Sequence, residues 1–154
     1  MKFREFIQPE AIVVALQSTD RDSVIRELVA SLGAAGAIDA DAVDTIVNAM
    51  LAREKSGTTG FGRGVAAPHA KHPLIRKLVG TIGLSAAGID FNALDHKPVY
   101  AIFMLLSPQG HDQLHLQAME VVFRNLKEDS FRRLLRQAST RETLLNLLDE
   151  ADGR

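Results

Sequence analysis

Val99-Tyr100-Ala101-Ile102-Phe103-Met104-Leu105-Leu106 is an almost unbroken apolar run that stops at Ser107-Pro108. Its length suits a strand, and a strand apolar at consecutive positions is buried on both faces. Layers must therefore cover it on either side. Upstream, residues 78–86 read as a second strand, whose glycines allow close backbone approach. Val65-Ala66-Ala67 reads as a short strand stopped by Pro68, and the apolar run at 12–16 as another strand.

Helical spacing marks the remaining segments. Val24, Ile25, Leu28, Val29 and Leu32 share one face, with Asp20 as N-cap and Gly33 where the helix should end. A second helix begins near Asp39 or Asp41, carries Val43, Ile46, Val47, Met50 and Leu51, and runs to about Arg53. After the central strand, Leu116, Met119, Val122, Phe123 and Leu126 follow His115 at helical spacing. Phe131, Leu134 and Leu135 mark a shorter helix, and Thr140 opens a last one carrying Leu144, Leu145, Leu147 and Leu148. Glycines cluster between Gly57 and Gly64, and a polar loop spans Gly88 to Pro98. No repeat or linker interrupts residues 1–154. The order predicts a single α/β domain, a small mixed β-sheet flanked by helices on both faces.

Composition narrows the function classes. The 154 residues are 46% hydrophobic, enough for a core without staples. Cysteine is absent, which removes disulfides, thiolate nucleophiles and Cys-based zinc sites. Eighteen basic against 19 acidic residues give a formal net charge of -1, so no basic footprint for nucleic acid or a membrane surface is present. No apolar run approaches the roughly 18 residues of a membrane span, and Met1-Lys2-Phe3-Arg4-Glu5 carries no apolar signal core. A soluble, cytoplasmic protein is expected.

The chemistry-bearing segment is Gly62-Arg63-Gly64-Val65-Ala66-Ala67-Pro68-His69. Small residues lead to a histidine that a proline holds at a strand end. A phosphoryl carrier needs a neutral imidazole with its attacking nitrogen exposed, and room for a second protein beside it. Gly62, Gly64, Ala66, Ala67 and Ala70 are expected to leave a shallow, mostly apolar surface there. A histidine after proline, taken alone, is equally an ordinary structural residue. The glycine cluster lacks the Gly-Lys-Ser/Thr ending of a P-loop, and proline-histidine follows it where a dinucleotide fingerprint needs a helix. No nucleophile-elbow signature is present. His72, His96 and His111 are expected to be exposed. His69, His72, His111 and His115 could in principle gather around zinc, but no His-Glu-x-x-His arrangement accompanies them.

The stretch from Arg53-Glu54 through Gly57-Thr58-Thr59-Gly60 to Pro68-His69 resembles the active-site segment of the fructose/mannitol-type (type 2) enzyme IIA family of the bacterial phosphoenolpyruvate-dependent phosphotransferase system. His115-Leu116-Gln117-Ala118-Met119 resembles the family's second histidine motif. Asp90-Phe91 and Pro98-Val99 fit the layout between them, so the likeness covers roughly residues 5–149. Ala66-Ala67 and Met119 depart from larger aliphatics and leucine, and Ala70 stands where many members carry glycine, leaving open whether φ is positive there.

The resemblance implies that His69 accepts and donates the phosphoryl group through Nε2. It implies His115 as the second active-site histidine and Arg53 as the active-site arginine, whose charged fork suits phosphate oxygens. It makes Thr59 a hydroxyl donor from the glycine loop. Arg53 is otherwise a solvated helix-end cation, and Thr59 an ordinary turn residue. No metal or organic cofactor is implied. The implied partners are a histidine phosphocarrier protein and a downstream IIB domain or regulated target. The Arg53-to-Gly60 run looks most like the nitrogen-regulatory branch. A sugar-specific IIA passing phosphate to a IIB domain remains the alternative, as does a binding module that keeps the fold without phosphotransfer.

Overall fold

In the computed structural model, which describes residues 1–154, the Val99 run is the hub of a five-stranded mixed sheet. Strand β5 (Val99–Pro108) pairs antiparallel with β4 (Val79–Ile89) along one side. Along its other side lie β2 (Val65–Ala66) and β3 (His69–His72), both parallel to it and in one continuous register. The strand β1 (Gly60–Gly62) adds antiparallel to β2.

Alternation along β5 builds two cores. Ala101, Phe103 and Leu105 face one side, against α3 (Asp112–Leu126), α4 (Asp129–Gln137) and α5 (Arg141–Asp152). Ile102, Met104 and Leu106 face the other, against α1 (Arg21–Ala34) and α2 (Val43–Lys55). The expected single α/β domain with both sheet faces covered is the observed one. Asp20 caps α1, accepting the Ser23 N–H at 2.9 Å, and Thr140 caps α5, accepting the Thr143 N–H at 3.1 Å.

Together β2 and β3 are one strand broken at Ala67-Pro68. Proline has no N–H for the ladder, and the Ala67 N–H turns away to the Thr59 carbonyl at 3.1 Å. The Pro68 carbonyl still accepts from the Leu105 N–H at 3.0 Å, so the chain returns to register at His69.

Three expectations need correction. Residues 12–16 form no strand: Val13 makes an isolated bridge to Gly83, and the chain bends at Val14-Ala15. The Ala11 carbonyl just before it accepts the hydroxyls of Ser31 and Thr81 instead of a ladder N–H. Gly33 does not end its helix. The helix runs on to Ala34, and Gly36, at φ 76°, takes the left-handed position after it. Gly33 instead lets α2 approach, since a Cβ there would lie 2.6 Å from Val43 Cγ2. The glycine cluster is not all loop, because β1 and β2 form a hairpin turning through Gly62-Arg63-Gly64, all at positive φ. The Arg63 N–H donates to Asp95 Oδ2 at 3.0 Å, holding that left-handed turn. Ala70 is not at positive φ.

The chain ends are joined. The Asp152 carboxylate accepts the N–H groups of Phe3 at 2.7 Å and Arg4 at 3.1 Å, and Arg4 pairs with Asp149 at 2.9 Å.

Candidate active site

The strand break puts His69 at the first position of β3 and turns its ring back on the chain. Its Nδ1 lies 2.7 Å from the Ala67 carbonyl. A carbonyl only accepts, so Nδ1 carries the proton and Nε2 holds the free lone pair. Nε2 has no partner in the protein and reaches solvent. Burial holds the His69 imidazole below its usual pKa, aided by the Arg53 and Lys71 charges and opposed by the Ala67 bond and Glu54.

His115 lies in the first turns of α3, buried, its ring centroid 5.5 Å from that of His69. Its pKa is pushed down to about 4, first by burial, then by His69 and Lys71, with Asp112 opposing. Its Nδ1 meets Ser107 Oγ at 2.5 Å. Lys71 on β3 pairs with Asp112 on α3 at 3.0 Å, strapping the two histidine-bearing elements together. At neutral pH the site therefore holds two uncharged imidazoles, at least one with an open nucleophilic nitrogen.

Arg53 lies in the last turn of α2, and its Nη1–H donates to the Gly57 carbonyl at 2.9 Å. Its charge reaches His69, and the rest of its fork is uncommitted within the protein. Thr59 is placed differently from the expected phosphate donor. It is buried, and its hydroxyl donates to Glu54, whose other oxygen accepts the Thr59 N–H at 3.1 Å. Because the Thr59 carbonyl accepts the Ala67 N–H, a chain of hydrogen bonds runs from Glu54 through Thr59 and Ala67 to the His69 ring.

The expected apolar surface has other owners. Gly62, Ala66 and Ala67 are buried under their neighbours. The exposed apolar groups are on α3: Leu116 is 58% exposed and Phe123 39%, although both were expected on its buried face. Phe61 of β1 packs on Phe123 with centroids 4.9 Å apart. His69 is half-buried and His115 buried, each with its Nε2 reaching solvent. His96 and His111 are exposed, but His72 is half-buried, its Nδ1 accepting the Leu74 N–H at 3.0 Å. No three His, Asp or Glu side chains gather as a metal site.

Residues 5–151 match the family model described as phosphoenolpyruvate-dependent sugar phosphotransferase system, EIIA 2. This chain is a type 2 EIIA domain of the phosphotransferase system. It is 32% identical to a nitrogen regulatory protein of Bradyrhizobium diazoefficiens over 96% of this chain and 95% of that one. It is 38% identical to a fructose-specific EIIA component of Haloferax volcanii over 74% of this chain and 76% of that one. The nitrogen regulatory protein IIA-Ntr of Neisseria meningitidis superposes with a TM-score of 0.83 at 28% identity, covering 94% and 97% of the two chains. The fold is shared with the mannitol enzyme IIA of Escherichia coli, solved in complex with its phosphorylated enzyme IIB (TM-score 0.78, 19% identity, 97% of this chain and 100% of that one).

Two residues of this EIIA domain's site escaped the sequence reading. Glu54 was visible only as half of an Arg-Glu pair, and Ser107 only as the stop of an apolar run. A charged residue at a position the helix buries, and a hydroxyl at the end of a strand buried on both faces, were the signals available.

Proposed function

We propose that this EIIA domain carries a phosphoryl group on Nε2 of His69, received from a histidine phosphocarrier protein. The observation that carries the reading is the Nδ1–H bond to Ala67, which leaves Nε2 as a solvent-facing lone pair. In the step, Nε2 attacks the phosphorus of the donor's phosphohistidine in line. The donor N–P bond breaks, the His69 N–P bond forms, and Nδ1 keeps its proton. The donor imidazole leaves with the electron pair of the broken bond. Positioning and charge stabilisation do the work, through Arg53 and the second imidazole. The open setting of His69 suits delivery by another protein.

A nitrogen-type regulatory role is the reading we favour, supported by likeness along nearly the whole length of a nitrogen regulatory protein. Transfer to a IIB domain is the second reading, favoured by the fructose-specific relative. A binding module without phosphotransfer would have no use for two neutral imidazoles held side by side.

Incubation with phosphoenolpyruvate, enzyme I and a phosphocarrier protein is expected to add one acid-labile, base-stable phosphoryl group, absent from His69→Ala. Equal labelling of that variant overturns the assignment. A pull-down with bare and phosphorylated protein separates the roles. Partners that differ between the two states support regulation, because a phosphoryl dianion is costly to bury against an apolar surface. Identical partners leave only the relay.

A further inference from the structure

Ser107 is fully buried where β5 meets Pro108, and Nδ1 of His115 is the one hydrogen-bond partner of its hydroxyl. The bond can be shared in two ways. If His115 donated, the Ser107 proton would be stranded in the interior with nothing to accept it. If Ser107 donates, its proton is satisfied and Nδ1 is the acceptor. The other His115 nitrogen, Nε2, has no partner in the protein and reaches solvent. We infer that Ser107 is a positioning residue: its hydroxyl donates to Nδ1 of His115, fixes that ring as the Nε2–H tautomer, and so aims a donor at the phosphoryl group on His69.

The inference rests on the reading of His69 as the phosphoryl acceptor. It makes the two rings complementary. Ala67, a pure acceptor, forces His69 to keep its proton on Nδ1 and to offer a lone pair. Ser107, a donor, forces His115 to do the opposite. Were His115 in the same tautomer as His69, a second lone pair would face the anionic phosphoryl oxygens and repel them. During transfer the His115 N–H donates to a non-bridging oxygen and keeps its proton, so no proton changes hands.

Long-range proton–nitrogen NMR on the 15N-histidine-labelled protein at neutral pH reads both tautomers directly. The expected wild-type spectrum has His69 protonated on Nδ1 and His115 on Nε2. Ser107→Ala should leave the His69 pattern intact, shift His115 towards the Nδ1–H form, and slow phosphoryl transfer by about tenfold. Ser107→Thr, which keeps the hydroxyl, should restore both tautomer and rate. A purely structural serine would change neither tautomer. His115 protonated on Nδ1 in the wild type, or a Ser107→Ala protein with wild-type tautomers and rate, overturns the proposal. If the wild type takes no phosphoryl group on His69, the functional reading fails, and the tautomer spectra still decide the part played by Ser107.

Discussion

The imidazoles of His69 and His115 face each other at 5.5 Å with their planes tilted by 50°, and His69 adds to the burial that keeps His115 from charging. In the unfolded chain a histidine titrates near 6.5; in the fold His115 does so at about 4. Between those values the unfolded state binds the extra proton, so stability rises with pH through that window and is lost as pH falls through it. Because the ring keeps solvent contact at Nε2, screening reduces the full linkage value, and the loss due to His115 should be on the order of 2 kcal/mol. Urea unfolding from pH 4 to 7 measures it, and His115→Gln should flatten the profile relative to wild type. Parallel profiles would mean that His115 is not held neutral.

Arg53 holds the Gly57 carbonyl with one N–H and keeps the rest of its fork free. A charge-assisted bond to a phosphoryl oxygen contributes about 1.5–3 kcal/mol. Arg53→Ala should therefore slow transfer onto His69 by one to two orders of magnitude, as in rapid-quench labelling, and Arg53→Lys should recover only part. An unchanged rate in the alanine variant removes Arg53 from the site.

Glu54 is 3% exposed, and both of its oxygens bind Thr59. Thr59→Val keeps the volume and removes one donor from a buried carboxylate. It should cost roughly 1–3 kcal/mol, a drop of several degrees in Tm. Transfer should fall less than in Arg53→Ala, because the hydroxyl is tied to Glu54. A large rate loss at unchanged Tm would return Thr59 to the phosphate.

Leu116 is 58% exposed one residue from His115, where it stabilises little. Leu116→Asp should leave stability within about 0.5 kcal/mol. It should raise KM for the phosphorylated phosphocarrier with little change in kcat, since an incoming anionic partner loses an apolar contact and meets a like charge. Steady-state transfer kinetics decide it, and an unchanged KM places docking elsewhere.

The central strand and the helices were legible because their signals are local. Val99 to Leu106 is apolar at every pleat but Tyr100, and α1 carries its N-cap three residues before the N–H it binds. His69, His115 and Arg53 were singled out by resemblance to the family's motifs, and the fold brings the two histidine rings to 5.5 Å. What escaped depends on partners distant in sequence. The β1 strand reads as glycine loop until β2 folds over it, and residues 12–16 read as strand because their apolar run carries no trace of the Ser31 and Thr81 hydroxyls that take the Ala11 carbonyl. Gly33 looks like a helix stop until Val43 is seen against it. Leu116 and Phe123 fit a helical stripe, yet the stripe is wider than the face the sheet covers.

The clasp of Asp152 on the Phe3 and Arg4 amides fixes where anything attached to this domain must leave it. A neighbour joined ahead of Met1 and one joined behind Arg154 would emerge from the same spot, side by side. The domain therefore behaves in a longer polypeptide as an inset and not as a spacer: splicing it into an exposed loop of a host would barely part the host's two halves.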